Sequence, residues 1–198
     1  VLDTSVLSLL AAVRREDFVP AAQRALAFVD TEIPLPEGQV MLAPRVEARL
    51  LQEAKVQRHE RVLEIGTGSG FMAALLGHRA QRVISLETRP ALAEMARANL
   101  SRAGVANVTV VEADGQFGLA AEGPFDVIVL SGSVASIPQA LFDQLKPAGR
   151  LIAIEGAEPV MRATLYTRQS DAAFSKVELF DTVAPRLDGF SEPTRFQF

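Results

Sequence analysis

The residues with the clearest chemical meaning lie between positions 64 and 115. Glu64-Ile65-Gly66-Thr67-Gly68-Ser69-Gly70 follows a short apolar run that starts at Arg61. Gly66 lets the chain turn sharply, and Gly68 lets the backbone approach a ligand with no Cβ in between. A helix beginning beyond the turn offers free N–H groups and the positive end of its dipole. Two acids add to this. Glu87, with Thr88 beside it, can accept hydrogen bonds from both hydroxyls of a ribose, and Asp114, with Gly115, can accept from an adenine amino group. Either acid alone is as well explained by a solvated strand end. Together with the glycine turn they stand at the carboxyl ends of three successive strands, where open α/β sheets bind ligands, and they point to a nucleoside-type cofactor.

The spacing of the glycines narrows the choice. A dinucleotide fingerprint would place them at 66, 68 and 71, but position 71 is Phe and the third glycine is Gly70. The E-x-G-x-G-x-G order is similar to that of methyltransferases that bind S-adenosylmethionine, whose ligand at this loop is an amino acid and a ribose rather than a pyrophosphate. On this reading Glu64, Gly66, Thr67, Gly68, Ser69, Gly70, Glu87, Thr88, Asp114 and Gly115 hold the cofactor. An NAD-dependent oxidoreductase is the alternative that the spacing disfavours.

The elements that must position these residues follow from periodicity and turn signals. Strands are expected over 61–65, 82–87, 108–112, 125–130 and 150–154, with helices over 71–78, 90–103 and 138–145 between them. Strands alternating with helices imply a parallel sheet covered on both faces. Residues 162–168 and 175–184 alternate instead and flank a polar turn, which predicts an antiparallel hairpin on the sheet edge. Upstream, short helices are expected over 5–13 and 21–28, and the prolines of Ile33-Pro34-Leu35-Pro36 predict an extended surface loop. A helix begins at Pro44, whose missing N–H costs nothing in a first turn. The expected fold is therefore α/β, a Rossmann-like, doubly wound, mostly parallel sheet with a C-terminal antiparallel hairpin. Residues 1–55 form a helical and loop extension packed on a core of 56–198, the two making one structural unit.

Composition removes other classes. The chain of 198 residues has no cysteine, so disulfides, thiolate metal sites and a cysteine nucleophile are excluded. Two histidines, His59 and His78, make a multi-histidine metal centre improbable, and no metal is expected. With 20 basic and 24 acidic residues the charge balance disfavours a nucleic-acid partner. No apolar run is long enough for a membrane span. The first residues lack the basic region of a signal peptide, and the absence of an initiator Met reads as a trimmed N-terminus. A cytoplasmic location is expected.

From about residue 14 to about residue 154 the chain resembles the protein-L-isoaspartate O-methyltransferases. Arg15-Glu16-Asp17-Phe18-Val19-Pro20 is similar to the family's first block, and Asp30 with Ile33-Pro34-Leu35-Pro36 and Gly38-Gln39 to its second. Val62 to Phe71 resembles its cofactor motif, which many methyltransferases share. Ile137-Pro138, Leu141, Gln144-Leu145-Lys146-Pro147 and Gly149-Arg150-Leu151 resemble its late block. The resemblance implies a methyl transfer from S-adenosylmethionine to a carboxylate of a damaged protein or peptide. One departure matters. Where the family carries Thr-Ile-Ser after Gly-Gln, with hydroxyls at the active site, this chain has Val40-Met41-Leu42. The next variable position, commonly His in the family, is Arg45. A bacterial subgroup of the family is similar in carrying Gln-Val-Met-Leu.

A carboxylate acceptor is already ionised at neutral pH, with an ordinary pKa of ~4, so no general base is required. Catalysis would rest on positioning and exclusion of water. Both histidines fit this absence of a base: His59 lies in a polar stretch and His78 at a helix end that favours a cation. The acceptor-side candidates are the Leu42 position, Arg45, which could pair with an acidic substrate, and Ser131 and Ser133, which with Ser136 could donate to a carboxylate. As alternatives, these serines are ordinary turn residues, Arg45 is a solvated charge, and Phe71 caps the core beneath the loop. Leu42→Ser is expected to raise activity on an isoaspartyl peptide. Two other functions remain open: a methyltransferase for a small molecule or a particular protein, which an apolar wall at 40–42 would suit, and a non-catalytic module that binds the cofactor.

Overall fold

A computed structural model describes residues 3–192, so the outermost residues of the two expected segments, 1–2 and 193–198, lie outside it. Five α-helices and nine strands are formed among the described residues. The N-terminal part contributes α1 (Thr4–Ala12), strands β1 (Ile33–Pro34) and β2 (Val40–Met41), and α2 (Pro44–Ala54). The alternating part then runs β3 (Arg61–Ile65), α3 (Phe71–Gly77), β4 (Arg82–Glu87), α4 (Pro90–Arg102), β5 (Val108–Glu112), β6 (Phe125–Val134), α5 (Gln139–Asp143) and β7 (Leu145–Ala157). The chain closes with β8 (Val160–Arg168) and β9 (Phe174–Thr182).

The main sheet has seven strands in the order β5-β4-β3-β6-β7-β8-β9. The first five run parallel, and β8 and β9 add antiparallel, as the alternation of 162–168 and 175–184 predicts. From β3 the chain winds outward through β4 to β5, then returns to β6 on the other side of β3. The carboxyl ends of β3 and β6 therefore mark the topological switch point, the crevice where such sheets take their ligands. Strands β3 and β4 are covered on both faces, so apolar neighbours on opposite faces are buried alike: Val62, Leu63, Ile65, Val83, Ile84 and Leu86.

The N-terminal elements share this core. Val6, Val13, Phe18, Ile33 and Leu50 belong to the same buried cluster as Phe71, Leu75 and Val83. Phe18 packs edge-on against Phe71 with centroids 5.5 Å apart, and the Arg15 guanidinium lies 4.9 Å from the same ring. Phe71 is thus a core residue that anchors α3 to the N-terminal part.

Five local expectations are corrected. Residues 21–28 are not an α-helix but a 3-10 stretch, Ala21–Leu26, none of whose residues is buried. The apolar Leu26, Phe28 and Val29 point to solvent, so no core face stabilises a regular helix there. The proline-rich 33–38 stretch is not simply a surface loop. Ile33 and Pro34 pair antiparallel with Met41 and Val40, and Ile33 and Leu35 are buried. Pro34 is tolerated because a two-stranded ribbon leaves its nitrogen side unpaired. The strand expected to stop at Leu130 continues to Val134, since Ser133 and Val134 pair with Ile154 and Glu155 across an irregular step. The strand expected from Arg150 begins at Leu145, which pairs with Phe125, and Ala148 in the left-handed region (φ 60°) bulges out before Arg150 resumes the register. The helix expected over 138–145 shortens accordingly to α5.

Candidate cofactor and active site

Three of the five residues in the turn after β3 are left-handed glycines. Gly66, Gly68 and Gly70 have φ of 92°, 53° and 87°, which a residue with a Cβ adopts only under strain. The N–H groups of Gly66 and Thr67 both donate to the Leu86 carbonyl, tying the turn to β4. The N–H of Gly68 donates to Glu87 Oε2 at 2.9 Å, and that of Arg89 donates to Glu87 Oε1 at 3.1 Å. A carboxylate offers about four acceptor sites, so two such bonds leave Glu87 capacity for a vicinal diol.

A pocket at the switch point is lined by Gly66, Gly68, Glu87, Thr88, Gly115 and Ser131 among the expected residues. Its apolar walls come from Ile65, Leu86, Leu92 and Ala113. The loop after β5 passes so close that a Cβ on Gly115 would lie 2.2 Å from Ile65 Cγ2, and only glycine fits. Apolar walls with a few fixed polar groups suit a nucleoside. The residues present therefore fit an adenosine-type group: Glu87 for the ribose, the Gly66–Gly68 backbone for close approach, and Ala113 and Gly115 beside the base.

The other expected residues sit elsewhere. Glu64 is fully buried beneath the turn, where it accepts from Ser85 Oγ (2.5 Å) and Ser131 Oγ (2.7 Å), and Ser85 Oγ in turn lies 2.6 Å from Thr67 Oγ1. Burial raises its pKa to about 8 against the opposing effect of the two hydroxyls. Glu64 and Thr67 thus form a hydroxyl–carboxyl network that supports the turn from below. Ser69 is buried and uses its carbonyl to accept from Asn99 Nδ2 at 2.8 Å. Gly70 opens α3 where a Cβ would press on Ala96 of α4 at 3.3 Å, so it serves helix packing. Asp114 caps a short 3-10 turn by accepting from the N–H of Gln116 at 3.1 Å and its side-chain amide at 2.7 Å.

On the acceptor side the picture changes more. Leu42 is buried and does not line the pocket, and its carbonyl accepts from Arg15 Nη2 at 2.8 Å. Ser133 is buried too, and its hydroxyl donates to the Ala184 carbonyl at 2.7 Å, so it is not available to a substrate. Arg45 is exposed and faces Asp30 at 3.4 Å, outside the pocket. Ser136 is exposed beyond the end of β6. His59 and His78 are both exposed and line a groove apart from the pocket. Val40, expected in an apolar wall at 40–42, does line the pocket; the sequence reading gave Gln39 no role and overlooked Leu187 and Asp188, which line it too. Gln39 and Val40 enter through the β1–β2 hairpin that the proline reading treated as a loop. Leu187 and Asp188 lie after the last strand and carry no local motif. A buried ion pair, Arg15 with Glu47, was also overlooked, and it ties the chain before Phe18 to α2. Burial raises the Glu47 pKa to about 7 although the Arg15 charge opposes the rise.

Among the described residues no group of acids and histidines is placed to hold a metal, and no helix is long and apolar enough to cross a membrane. The doubly wound sheet, the glycine turn and the strand-end Glu87 together define a Rossmann-like methyltransferase of the S-adenosylmethionine-dependent class. The family model for protein-L-isoaspartate(D-aspartate) O-methyltransferase matches residues 1–183, and the chain belongs to that family. Over 179 residues it is 38% identical to a protein-L-isoaspartate O-methyltransferase of Koribacter versatilis, covering 90% of this chain and 80% of that one. Over 154 residues it is 43% identical to the enzyme of the same name from Methanoculleus marisnigri, covering 78% and 70%. A solved protein-L-isoaspartate O-methyltransferase superposes with a TM-score of 0.84 at 25% identity, covering 95% of this chain, which spans 62% of that one. A Plasmodium falciparum structure assigned to the same activity, in complex with S-adenosyl-L-homocysteine, shares the fold with a TM-score of 0.79 at 22% identity, covering 95% and 92%.

Proposed function

We propose that this chain methylates a carboxylate of a damaged protein or peptide, in the manner of isoaspartate repair, and that it does so in a reducing cytoplasm. The observation that carries the reading is the pocket at the β3–β6 switch point, which joins Glu87 and the glycine turn on one side to the β1–β2 hairpin on the other. When bound, S-adenosylmethionine supplies an electrophilic methyl group. Glu87 would hold the ribose hydroxyls, Gly66 and Gly68 would let the backbone close on the amino-acid part, and Ile65, Leu86 and Ala113 would sandwich the base. Gln39 lines the pocket on the side of the β1–β2 hairpin, where its side-chain amide can orient a carboxyl group by donating to it, whereas the Ser131 hydroxyl is already committed to Glu64. A carboxylate brings its own charged oxygen, so the residues have to position it and keep water out, and a base is not needed.

Val40 favours a second reading. It faces the pocket where the family's hydroxyl would stand, and an aliphatic wall suits a less polar acceptor. Calorimetric titration with S-adenosylmethionine, followed by a methyl-transfer assay on an isoaspartyl peptide, separates these. Binding with turnover supports repair. Binding without turnover removes the isoaspartyl acceptor and leaves another acceptor or a cofactor-binding module. A folded chain that fails to bind overturns both readings.

A further inference from the structure

The segment after β9 turns back over the pocket. It is laid beside the end of β6 by three bonds: Ser133 N–H to the Pro185 carbonyl (2.8 Å), Ser133 Oγ–H to the Ala184 carbonyl (2.7 Å), and Leu187 N–H to the Ser133 carbonyl (2.9 Å). This places the Leu187 side chain directly over Gly66 and Gly132, where a Cβ on either would lie 2.6 Å or 2.8 Å from Leu187 Cδ2. The cavity beneath is about 50 Å³, although sites for ligands of nucleoside size or larger measure roughly 300 Å³ or more. The lining thus comes together around a cavity narrower than such a ligand.

Arg89 stands at the mouth, two residues beyond Glu87. Its Nη1 reaches Glu37 Oε2 at 3.0 Å, on the turn of the β1–β2 hairpin, and its Nη2 reaches Asp188 Oδ2 at 2.8 Å, on the returning segment. Its Nε adds a second bond to the same Asp188 oxygen at 2.9 Å. The two covers of the pocket come from distant parts of the chain, and one guanidinium fork holds both. A lysine ammonium could not present this planar, divergent set of donors.

We propose that Arg89 is a positioning residue for the cofactor: it clasps Glu37 to Asp188 across the mouth, holds Leu187 over Gly66, and releases Asp188 each time the cofactor enters or its product leaves. The proposal rests on the S-adenosylmethionine reading for the identity of the ligand, while the clasp itself is testable without one. Pairs this exposed are individually weak and salt-sensitive, which suits a latch that must open in every cycle.

The test uses the full chain in two measurements. In the first, without ligand, amide hydrogen exchange is followed at Leu187 and Ser133. Arg89→Gln and Asp188→Asn are expected to speed exchange there roughly fivefold, the combined effect of a few such pairs, with the amides of β3 and β4 unchanged. Arg89→Lys, which keeps the charge but not the fork, is expected to fall between. In the second, dissociation of labelled S-adenosylhomocysteine is timed at low and high salt. The wild type should release faster at high salt, and Arg89→Gln should be fast at both. Wild-type exchange at Leu187 in both neutral variants, or release that ignores salt in the wild type, would overturn the clasp. If Arg89→Gln does not fold, Asp188→Asn decides. A wild type that does not bind S-adenosylhomocysteine refutes the cofactor reading, and the exchange measurement still decides the clasp.

Discussion

The N–H of Gly68 donates to Glu87 Oε2 at 2.9 Å, so the glycine turn and the Glu87 carboxylate are one hydrogen-bonded unit. The turn cannot shift without moving the carboxylate. Gly68→Val is therefore expected to abolish cofactor binding: the residue has φ 53°, which β-branched side chains avoid, and its Cβ would already lie 3.3 Å from Leu35 Cδ1. Calorimetric affinity no different from that of the wild type would show that the site lies elsewhere.

Glu87→Gln keeps the shape but removes the charge and one acceptor. Hydrogen bonds to a charged group contribute about 1.5–3 kcal/mol, so a loss of roughly tenfold to a hundredfold in cofactor affinity is expected. Titration of the variant measures it, and a thermal melt reports what the loss of one of the two backbone N–H bonds to this side chain does to the turn.

The buried Glu64 makes stability depend on pH. Its pKa is raised to about 8 in the folded chain, above the ordinary 4.5, so the folded state binds the proton more tightly than the unfolded one. Its contribution is fully present below pH ~4.5 and is lost as pH rises through about 8. Glu64→Gln, which cannot ionise, should flatten that decline. Urea unfolding between pH 5 and pH 9, on the order of four units, would reveal the difference in slope.

Position 40, not 42, is the informative place to restore a hydroxyl. Val40 lines the pocket, whereas Leu42 is buried away from it. Val40→Thr is expected to raise methylation of an isoaspartyl peptide. Leu42→Ser is expected to lower stability by about 1–3 kcal/mol, because it places an unsatisfied hydroxyl in the core and leaves a gap. Parallel activity and denaturation measurements on the two variants separate the roles. A gain in the second and none in the first would reverse the assignment.

Glu47→Ala should be among the most damaging single changes. It leaves the Arg15 guanidinium buried without its partner, at a cost of about 3–5 kcal/mol. The midpoint of thermal unfolding should fall accordingly, and Glu47→Gln should fall less because the amide oxygen still accepts from Arg15.

The parallel core was legible because its signals are local. Arg61 to Ile65 ends in a glycine turn, and the apolar runs at 82–87 and 125–130 need no partner to be recognised. What escaped were residues defined by distant pairing. The Pro34 stretch forms a ribbon only because Val40 and Met41 come back beside it. Ser133 looks like a turn serine until Ala184 and Pro185 return to β6. Leu187 and Asp188 carry no motif, and only the folding back of the tail makes them part of the pocket. Glu64 is the reverse case: its place in the motif was plain from the sequence, but only the packing of Ser85 and Ser131 around it shows a support rather than a ligand contact.

The returning segment has a consequence for biosynthesis. Chains emerge from the ribosome N-terminus first, at about 5–20 residues per second, and domains fold as they appear. The sheet through β7 is complete at Ala157, yet Leu187 and Asp188 still lie about thirty residues behind it in the tunnel or just outside. A nascent chain held at that point would present an open crevice with Glu87 and the glycine turn already in place but no wall on the Leu187 side. The wall over the crevice thus exists only once the chain through Asp188 has folded back, and a chain interrupted before residue 187 would leave the crevice open on that side.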